Sequence, residues 1–179
     1  MNWQDLNREV AEQLGGNPAL ADERPIIYID CRQQMLYRFD IEAENNCSYP
    51  ISTAAKGVGN RCETFKTPFG THRIRQKIGG GESRGMIFEA RKPTGKIASS
   101  LDNRDKDEIT SRILWLDGLQ EGINKGGVHD TFSRYIYIHG TSDEKRIGEP
   151  VSAGCIRMKN DDVIELFDEV LVDDIVVIR

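Results

Sequence analysis

Two kinds of apolar pattern divide the chain. Near its start, apolar residues recur at helical spacing until a Gly-Gly pair interrupts them: Trp3, Leu6, Val10 and Leu14. After Pro25 the apolar residues instead come in short runs separated by polar turns, a pattern typical of β-strands. We therefore predict an N-terminal helical extension over residues 1–24 and a mainly β domain over residues 25–179.

The first two apolar runs, Ile26 to Ile29 and Met35 to Phe39, flank the polar stretch Asp30 to Gln34 and predict a hairpin. Six more segments have strand character: Ser48 to Thr53, Gly70 to Ile78, Gly85 to Arg91, Arg112 to Leu116, Arg134 to His139 and Asp174 to Ile178. The charged stretch Asp102 to Glu108 predicts an exposed connection.

One helix is predicted near the end of the chain, with Asn160 as its N-cap. Four residues form its apolar face: Val163, Leu166, Phe167 and Val170. Many short strands with a helix near each end predict a β sandwich or half-open barrel with peripheral helices.

The composition excludes several classes of partner. The chain has 179 residues, 30% of them charged, and a net charge of -5, without the basic excess that nucleic acids demand. No apolar stretch approaches the ~20 residues that cross a bilayer, so we expect no membrane partner. The first residues also lack the apolar region of a secretion signal, which leads us to expect a cytoplasmic location.

The cysteines and histidines do not form a metal-binding pattern. Cys31, Cys47, Cys62 and Cys155 include no CxxC pair, and the three histidines, His72, His129 and His139, are scattered. In the cytoplasm the cysteines are expected to be free thiols. We expect no metal and no other cofactor.

The chemistry is concentrated in the segment YIYIHGTSDEKRIGEPVSAGCIRM, where His139 precedes Cys155 by 155 - 139 = 16 residues. A cysteine nucleophile needs a neighbouring imidazole, since a free thiol with a pKa of about 8.5 is mostly protonated near neutrality. The N–H groups of Gly154 and Cys155 are candidates for an oxyanion hole. Arg157 is a candidate for holding a substrate carboxylate or for bracing the loop. Spacing alone leaves open a buried structural cysteine and a hydrogen-bonded structural histidine.

The motif HG followed by SxGCIRM resembles the signature of the L,D-transpeptidase catalytic domain (YkuD) family. The resemblance extends upstream, through YIDCRQQMLYRF, YPISTAAKGVG and KTPFGTHRI, over most of residues 25–179. It implies a mainly β domain whose cysteine attacks the bond between the L-centre of a diamino acid and the terminal D-alanine of a peptidoglycan tetrapeptide. The resulting thioester is then cleaved by an amine in transpeptidases or by water in carboxypeptidases.

Carried onto this chain, the resemblance implies that Cys155 is the nucleophile, His139 the general base and the Gly140 carbonyl the group that orients the imidazole. Ser152 belongs to the same motif and is expected beside Gly154 on the oxyanion or substrate side. Ala153 departs from the pattern, because many members carry a histidine or another polar residue there.

Three functions remain open. The leading hypothesis is a cytoplasmic L,D-carboxypeptidase that trims soluble murein tetrapeptides or muropeptides for recycling or during precursor synthesis. The second is an exported L,D-transpeptidase that crosslinks peptidoglycan and whose signal is missing from this sequence. The third is a catalytically silent module that binds wall peptides or a protein partner.

Overall fold

The structure, a computed structural model, describes residues 25–39, 46–98 and 108–179. The predicted N-terminal extension, residues 1–24, lies outside the described residues, as does nearly all of the predicted connection Asp102 to Glu108. Among the described residues, no helix is both long and apolar enough to cross a lipid bilayer.

The described residues form ten strands and one α-helix. The strands are β1 (Ile26–Asp30), β2 (Met35–Phe39), β3 (Cys47–Pro50), β4 (Gly70–Ile78), β5 (Met86–Glu89), β6 (Lys92–Ile97), β7 (Ile109–Gly118), β8 (Tyr137–Thr141), β9 (Ile156–Met158) and β10 (Ile175–Ile178). The helix α1 (Asn160–Glu169) lies between β9 and β10.

All ten strands belong to one curled sheet with the order β3-β2-β1-β10-β4-β7-β5-β6. β8 also pairs with β7, and β9 pairs with β8, so β7 carries a second branch of the sheet. The pairs β1/β10 and β8/β9 are parallel, and the other strand pairs are antiparallel. The predicted fold class, a mainly β half-open barrel, is confirmed.

The predicted first hairpin is confirmed, and its turn is closed by Asp30. One oxygen of the Asp30 carboxylate accepts the N–H groups of Arg32 at 2.8 Å and Gln33 at 2.9 Å. Gln34 then takes a positive φ of 55° and leads into β2. An aspartate is well suited to this place, because its side chain can satisfy the backbone donors of a tight turn.

Helix α1 closes the main core by burying the predicted apolar face against the sheet. Val163, Leu166, Phe167 and Val170 pack with the inward-facing residues of the central strands, including Ile138. The prediction that Asn160 caps this helix was wrong. Lys159 occupies the cap position and Asn160 is the first helical residue, because its amide forms buried side-chain contacts instead.

Two strands of the structure, β6 and β9, were not predicted from the sequence. β6 lies at the sheet edge, is mostly exposed and contains Pro93 and Gly95, so it lacks the apolar alternation that marks a strand. β9 has only three residues, all buried, and they fall within the cysteine motif. Short or exposed strands leave little periodicity to detect.

The buried side chain of His72 should make the folded protein less stable in acid. Its ring is fully buried in β4, near the Gly70 carbonyl (3.0 Å) and the Thr131 hydroxyl (3.2 Å). Burial lowers the pKa of His72 from 6.5 to about 4. Between those two values the unfolded chain binds more protons than the folded chain, so stability falls as pH falls through this window.

We expect His72→Gln to remove this part of the pH dependence, which amounts to roughly 3 kcal/mol between pH 7 and pH 4. Urea unfolding at pH 7, 5.5 and 4 measures it. His129→Gln, which alters a partly exposed histidine, should retain the slope of the parent protein. Equal slopes for the parent and His72→Gln would contradict the assignment.

Candidate active site

His139 lies in β8, a strand with all five residues buried, and is itself 2% exposed. Its Nδ1 atom is 2.7 Å from the Gly140 carbonyl oxygen. A carbonyl only accepts hydrogen bonds, so the Nδ1 of the neutral ring carries the proton. The lone pair of Nε2 is then the one that can take a proton from a thiol, and the Gly140 carbonyl holds the ring in that tautomer.

Gly140 is required by a close approach of its neighbours. A Cβ atom at this position would lie 2.7 Å from the Thr110 carbonyl oxygen and 2.8 Å from Asn160 Oδ1. Both distances are shorter than side-chain carbons tolerate, so a larger residue would displace the strand end that carries His139.

The Asn160 side chain ties three elements together beneath this strand end. Its Oδ1 atom accepts the hydroxyls of Thr110 (2.7 Å) and Ser111 (2.5 Å), while its Nδ2 donates to the Thr141 carbonyl (3.0 Å) and to Glu144 (2.6 Å). This buried network joins β7, the end of β8 and the start of α1. Because the bonds to Thr110, Ser111 and Thr141 are buried, the network resists displacement of β8.

Cys155 lies immediately before β9. The parallel register pairs Ile138 with Ile156 and His139 with Arg157, so Cys155 is next to Tyr137 and diagonal to His139. Side chains alternate along strands, which puts Cys155 and His139 on the same face of the sheet. The thiol is half-buried, and its Sγ lies 3.5 Å from the Tyr135 carbonyl, to which it donates.

The turn before the nucleophile is held by hydroxyl groups. Ser152 Oγ donates to the Cys155 carbonyl at 2.6 Å and accepts the Gly154 N–H at 3.2 Å. Thr67 Oγ1 donates to the Gly154 carbonyl at 3.0 Å, and Gly154 has a φ of 135°, which favours glycine. These contacts position Cys155.

The Gly154 N–H has a partner within the turn, because it donates to the Ser152 hydroxyl. Its role as an oxyanion-hole donor stays a prediction. Ser152 shapes the turn through both of its hydrogen bonds. The Cys155 N–H also stays a predicted oxyanion donor.

Arg157 lies inside the sheet and is 4% exposed. Its N–H and carbonyl exchange hydrogen bonds of 2.9 Å with Ser52, and its Cα is in register with His139. This burial favours the alternative that Arg157 braces the structure. Its predicted role toward a substrate carboxylate stays a prediction.

Arg134 is a cation near the nucleophile that the sequence analysis missed. Its guanidinium donates to the carbonyl oxygens of Gly59 (3.2 Å), Asn60 (2.9 Å) and Lys66 (2.6 Å). The Lys66 carbonyl also lies against Gly154, 3.5 Å from the place of a Cβ atom. No local motif marks this arginine, because its partners lie in a distant segment of the chain.

The charge of Arg134 interacts with the nucleophile. Burial lowers the pKa of the Arg134 guanidinium, and the sulfurs of Cys62 and Cys155 oppose that change. The interaction is mutual, so the guanidinium favours the negatively charged form of Cys155.

Aromatic side chains form a wall beside the thiol. Trp115 stacks on Phe132 with centroids 4.1 Å apart, and contacts Tyr135 and Tyr137 at 5.5 Å each. Cys155 packs against this cluster. Burial is the main cause that raises the pKa of Tyr137, and the neighbouring Cys155 adds to it, so the phenol stays protonated near neutrality.

A separate cavity of about 580 Å³ is lined in part by the segment 53–58. Its lining is largely apolar, with Val58, Phe69 and Ile123 among its residues, and Ala54 in its wall pairs with Ser152. None of the predicted site residues lines this cavity. Within the described ranges, no group of His, Cys, Asp and Glu side chains is arranged to hold a metal ion.

We predict that Cys155 is alkylated first at neutral pH. Cys31 should react last, because burial raises the pKa of its thiol to about 12 and leaves almost no thiolate. Brief iodoacetamide labelling followed by peptide mass mapping gives the order. Cys155→Ser should abolish the fast phase alone, and equal labelling of Cys31 and Cys155 would refute the prediction.

We predict that Arg134→Gln slows alkylation of Cys155 at pH 7 by about threefold to tenfold, because the guanidinium favours the thiolate. The rate measured against pH should move to higher pH. Arg134→Lys should recover most of the rate. Arg61→Gln, which removes an exposed charge from the segment whose carbonyls accept the Arg134 guanidinium, should change little. A loss of rate without a shift along the pH axis would indicate a purely structural role.

Comparison with known proteins supplies the family. The sequence model of the L,D-transpeptidase catalytic domain (YkuD) matches residues 24–178. A curated relative, the putative L,D-transpeptidase YqjB of Bacillus subtilis (strain 168), is 50% identical over 40 residues, which are 22% of this chain and 23% of that protein.

Solved structures share the fold. L,D-transpeptidase 3 from Mycobacterium tuberculosis, in complex with a faropenem-derived adduct, aligns with a TM-score of 0.53 and 16% identity over 87% of this chain and 60% of that one. An L,D-transpeptidase from Mycobacterium smegmatis aligns with a TM-score of 0.50 and 18% identity, over 87% of this chain and 58% of that one. Bd1075 of Bdellovibrio bacteriovorus aligns with a TM-score of 0.54 and 16% identity, over 88% of this chain and 48% of that one.

The chain thus spans less than two thirds of the length of each of these relatives. The family match itself covers nearly all of the sequence, including every residue of the site described above. The chain belongs to the L,D-transpeptidase catalytic domain (YkuD) family.

Proposed function

We propose that this chain is a cysteine-dependent L,D-carboxypeptidase that removes the terminal D-alanine from soluble murein tetrapeptides in the cytoplasm. Membership of the family supports a cysteine enzyme that acts on peptidoglycan. The observation that carries the proposal is the buried His139 imidazole, its Nδ1 held by the Gly140 carbonyl, on the same sheet face as the half-buried Cys155 thiol.

The first half of the reaction forms a thioester. His139 Nε2 takes the Cys155 proton, and the thiolate attacks the carbonyl carbon of the diamino acid at its L-centre. The tetrahedral intermediate collapses as the C–N bond breaks, and the imidazolium returns the proton to the amine of the departing D-alanine. The Cys155 N–H is the donor we assign to the developing oxyanion.

The second half hydrolyses the thioester. His139, neutral again, takes a proton from water, whose oxygen attacks the same carbonyl carbon, and the C–S bond breaks to release the tripeptide. The thiolate then regains its proton from the imidazolium. Water can reach a half-buried thiol without a dedicated site, whereas transfer to a peptide amine also needs a surface that holds the acceptor.

The alternative is an L,D-transpeptidase that transfers the same thioester to an acceptor amine. It is favoured by the names of the Bacillus subtilis relative and of the mycobacterial structures. A silent binding module is the weakest alternative, because a structural thiol has no need of an imidazole held in the base tautomer.

Incubating the protein with free tetrapeptide, with and without a tripeptide acceptor, separates the alternatives by product mass. We expect tripeptide and free D-alanine at a rate that the acceptor does not change. A cross-linked product that replaces the tripeptide would establish the transpeptidase, and no product in either mixture would favour the binding module.

Two variants and a chelator test the assigned roles. Cys155→Ala should abolish turnover while the unfolding transition stays unchanged. His139→Ala should lower the rate by roughly two to four orders of magnitude, the usual scale for loss of a general base. EDTA should have no effect, and activity restored by zinc after chelation would overturn the thiol mechanism.

A further inference from the structure

Arg91 is held at an unusual place beside the aromatic wall. It lies in the two-residue turn between β5 and β6, where Ala90 has a φ of 46° and Arg91 a φ of 67°. Two successive positive φ values are the geometry of a tight hairpin turn, in which asparagine and glycine are usual. A branched or long side chain there carries strain, and such strain is most often retained where a side chain has a task.

The guanidinium of Arg91 is stacked on the wall. Its Cζ atom lies 5.0 Å from the ring centroids of both Trp115 and Tyr135, and Nη1 donates to the Tyr137 hydroxyl at 3.3 Å. Stacking uses the face of the guanidinium and restrains its plane, whereas the N–H donors lie along its edges. The cation is therefore preorganised before any ligand arrives.

Two of these three aromatic partners also flank the nucleophile. Tyr135 accepts the Cys155 thiol through its carbonyl, and Tyr137 lies next to Cys155 across the β8/β9 pairing. Arg91 is thus one side chain away from the thiol. Among the described residues no ion pair joins Arg91 to a carboxylate, and Tyr137 and Tyr135 both interact with its charge.

We infer that Arg91 is a specificity-determining residue that binds a carboxylate of the peptide whose carbonyl Cys155 attacks. The inference rests on the proposed function for the identity of that peptide. A murein tetrapeptide presents two carboxylates near the scissile bond, one on the terminal D-alanine and one on the D-centre of a diaminopimelate. A stacked guanidinium matches a carboxylate through paired N–H donors.

Kinetics on three peptides test the inference: the free tetrapeptide, its C-terminal amide and the amide of the diaminopimelate side-chain carboxylate. The parent enzyme should lose about tenfold to a hundredfold in kcat/KM on one of the two amides, and that amide identifies the carboxylate. Arg91→Gln should lose a similar factor in kcat/KM on the free peptide, and on that amide it should be no slower than the parent enzyme. Lys92→Gln, which removes a neighbouring exposed charge from the same hairpin, should retain the preference.

Binding to the Cys155→Ala protein separates the failure of this inference from that of the proposed function. If the parent enzyme does not hydrolyse the tetrapeptide, the proposed carboxypeptidase activity is refuted. Calorimetry on the Cys155→Ala protein, with and without Arg91→Gln, still shows whether the loss of Arg91 weakens binding of the free peptide relative to the amide. The role of Arg91 would be overturned if Arg91→Gln lost equally on all three peptides or kept the preference of the parent enzyme. It would also be overturned if the Cys155→Ala protein bound no peptide detectably. Arg157→Ala in the same assay should harm all three peptides alike.

Discussion

The parallel pairing of β8 with β9 is the contact on which the site depends. It is three residues long, yet it sets the stagger between the strand that carries His139 and the turn that carries Cys155. Ile138 and Ile156, the neighbours of the two catalytic candidates, point to the opposite face and are completely buried in the main core. A slip of one residue would expose these side chains, so hydrophobic burial holds the register that the chemistry needs.

Polar groups determine the finer geometry within that register. The Asn160 amide fills the space against Gly140 and ties the end of β8 to β7 and α1. On the other side, the hydroxyls of Ser152 and Thr67 donate to the carbonyls of Cys155 and Gly154. Buried hydrogen bonds are costly to leave unmade, which makes both arrangements stiff.

Much of this architecture could be predicted from local sequence, because it resides in periodicity and motif. The central strands have continuous apolar runs, α1 has an apolar face, and the HG and SxGC motifs mark the histidine and the cysteine. Asn160 was misjudged because its type favours a cap, whereas the fold uses the four-bond capacity of its amide in the interior. For Arg157 the motif left two roles open, holding a substrate carboxylate or bracing the loop, and only the burial of this side chain in the folded sheet favours the second.

Arg134 and Arg91 were beyond the reach of such reasoning for a different reason. Each acts through partners far away along the chain, three loop carbonyls for Arg134 and a ring cluster from β7 and β8 for Arg91. Only the tertiary structure brings these charges beside the thiol. The exposed methyl of Ala153 contributes no polar group to the site.

That distribution of charge affects how the thiolate forms. A carboxylate behind the imidazole would stabilise a proton on His139, but the Gly140 carbonyl is neutral and only orients the ring. The Arg134 guanidinium stabilises negative charge on Cys155. Thiolate formation therefore draws on this charge as well as on the proton acceptor at His139 Nε2. The proton that His139 accepts is then in place for the later task of the imidazole, protonation of the departing amine.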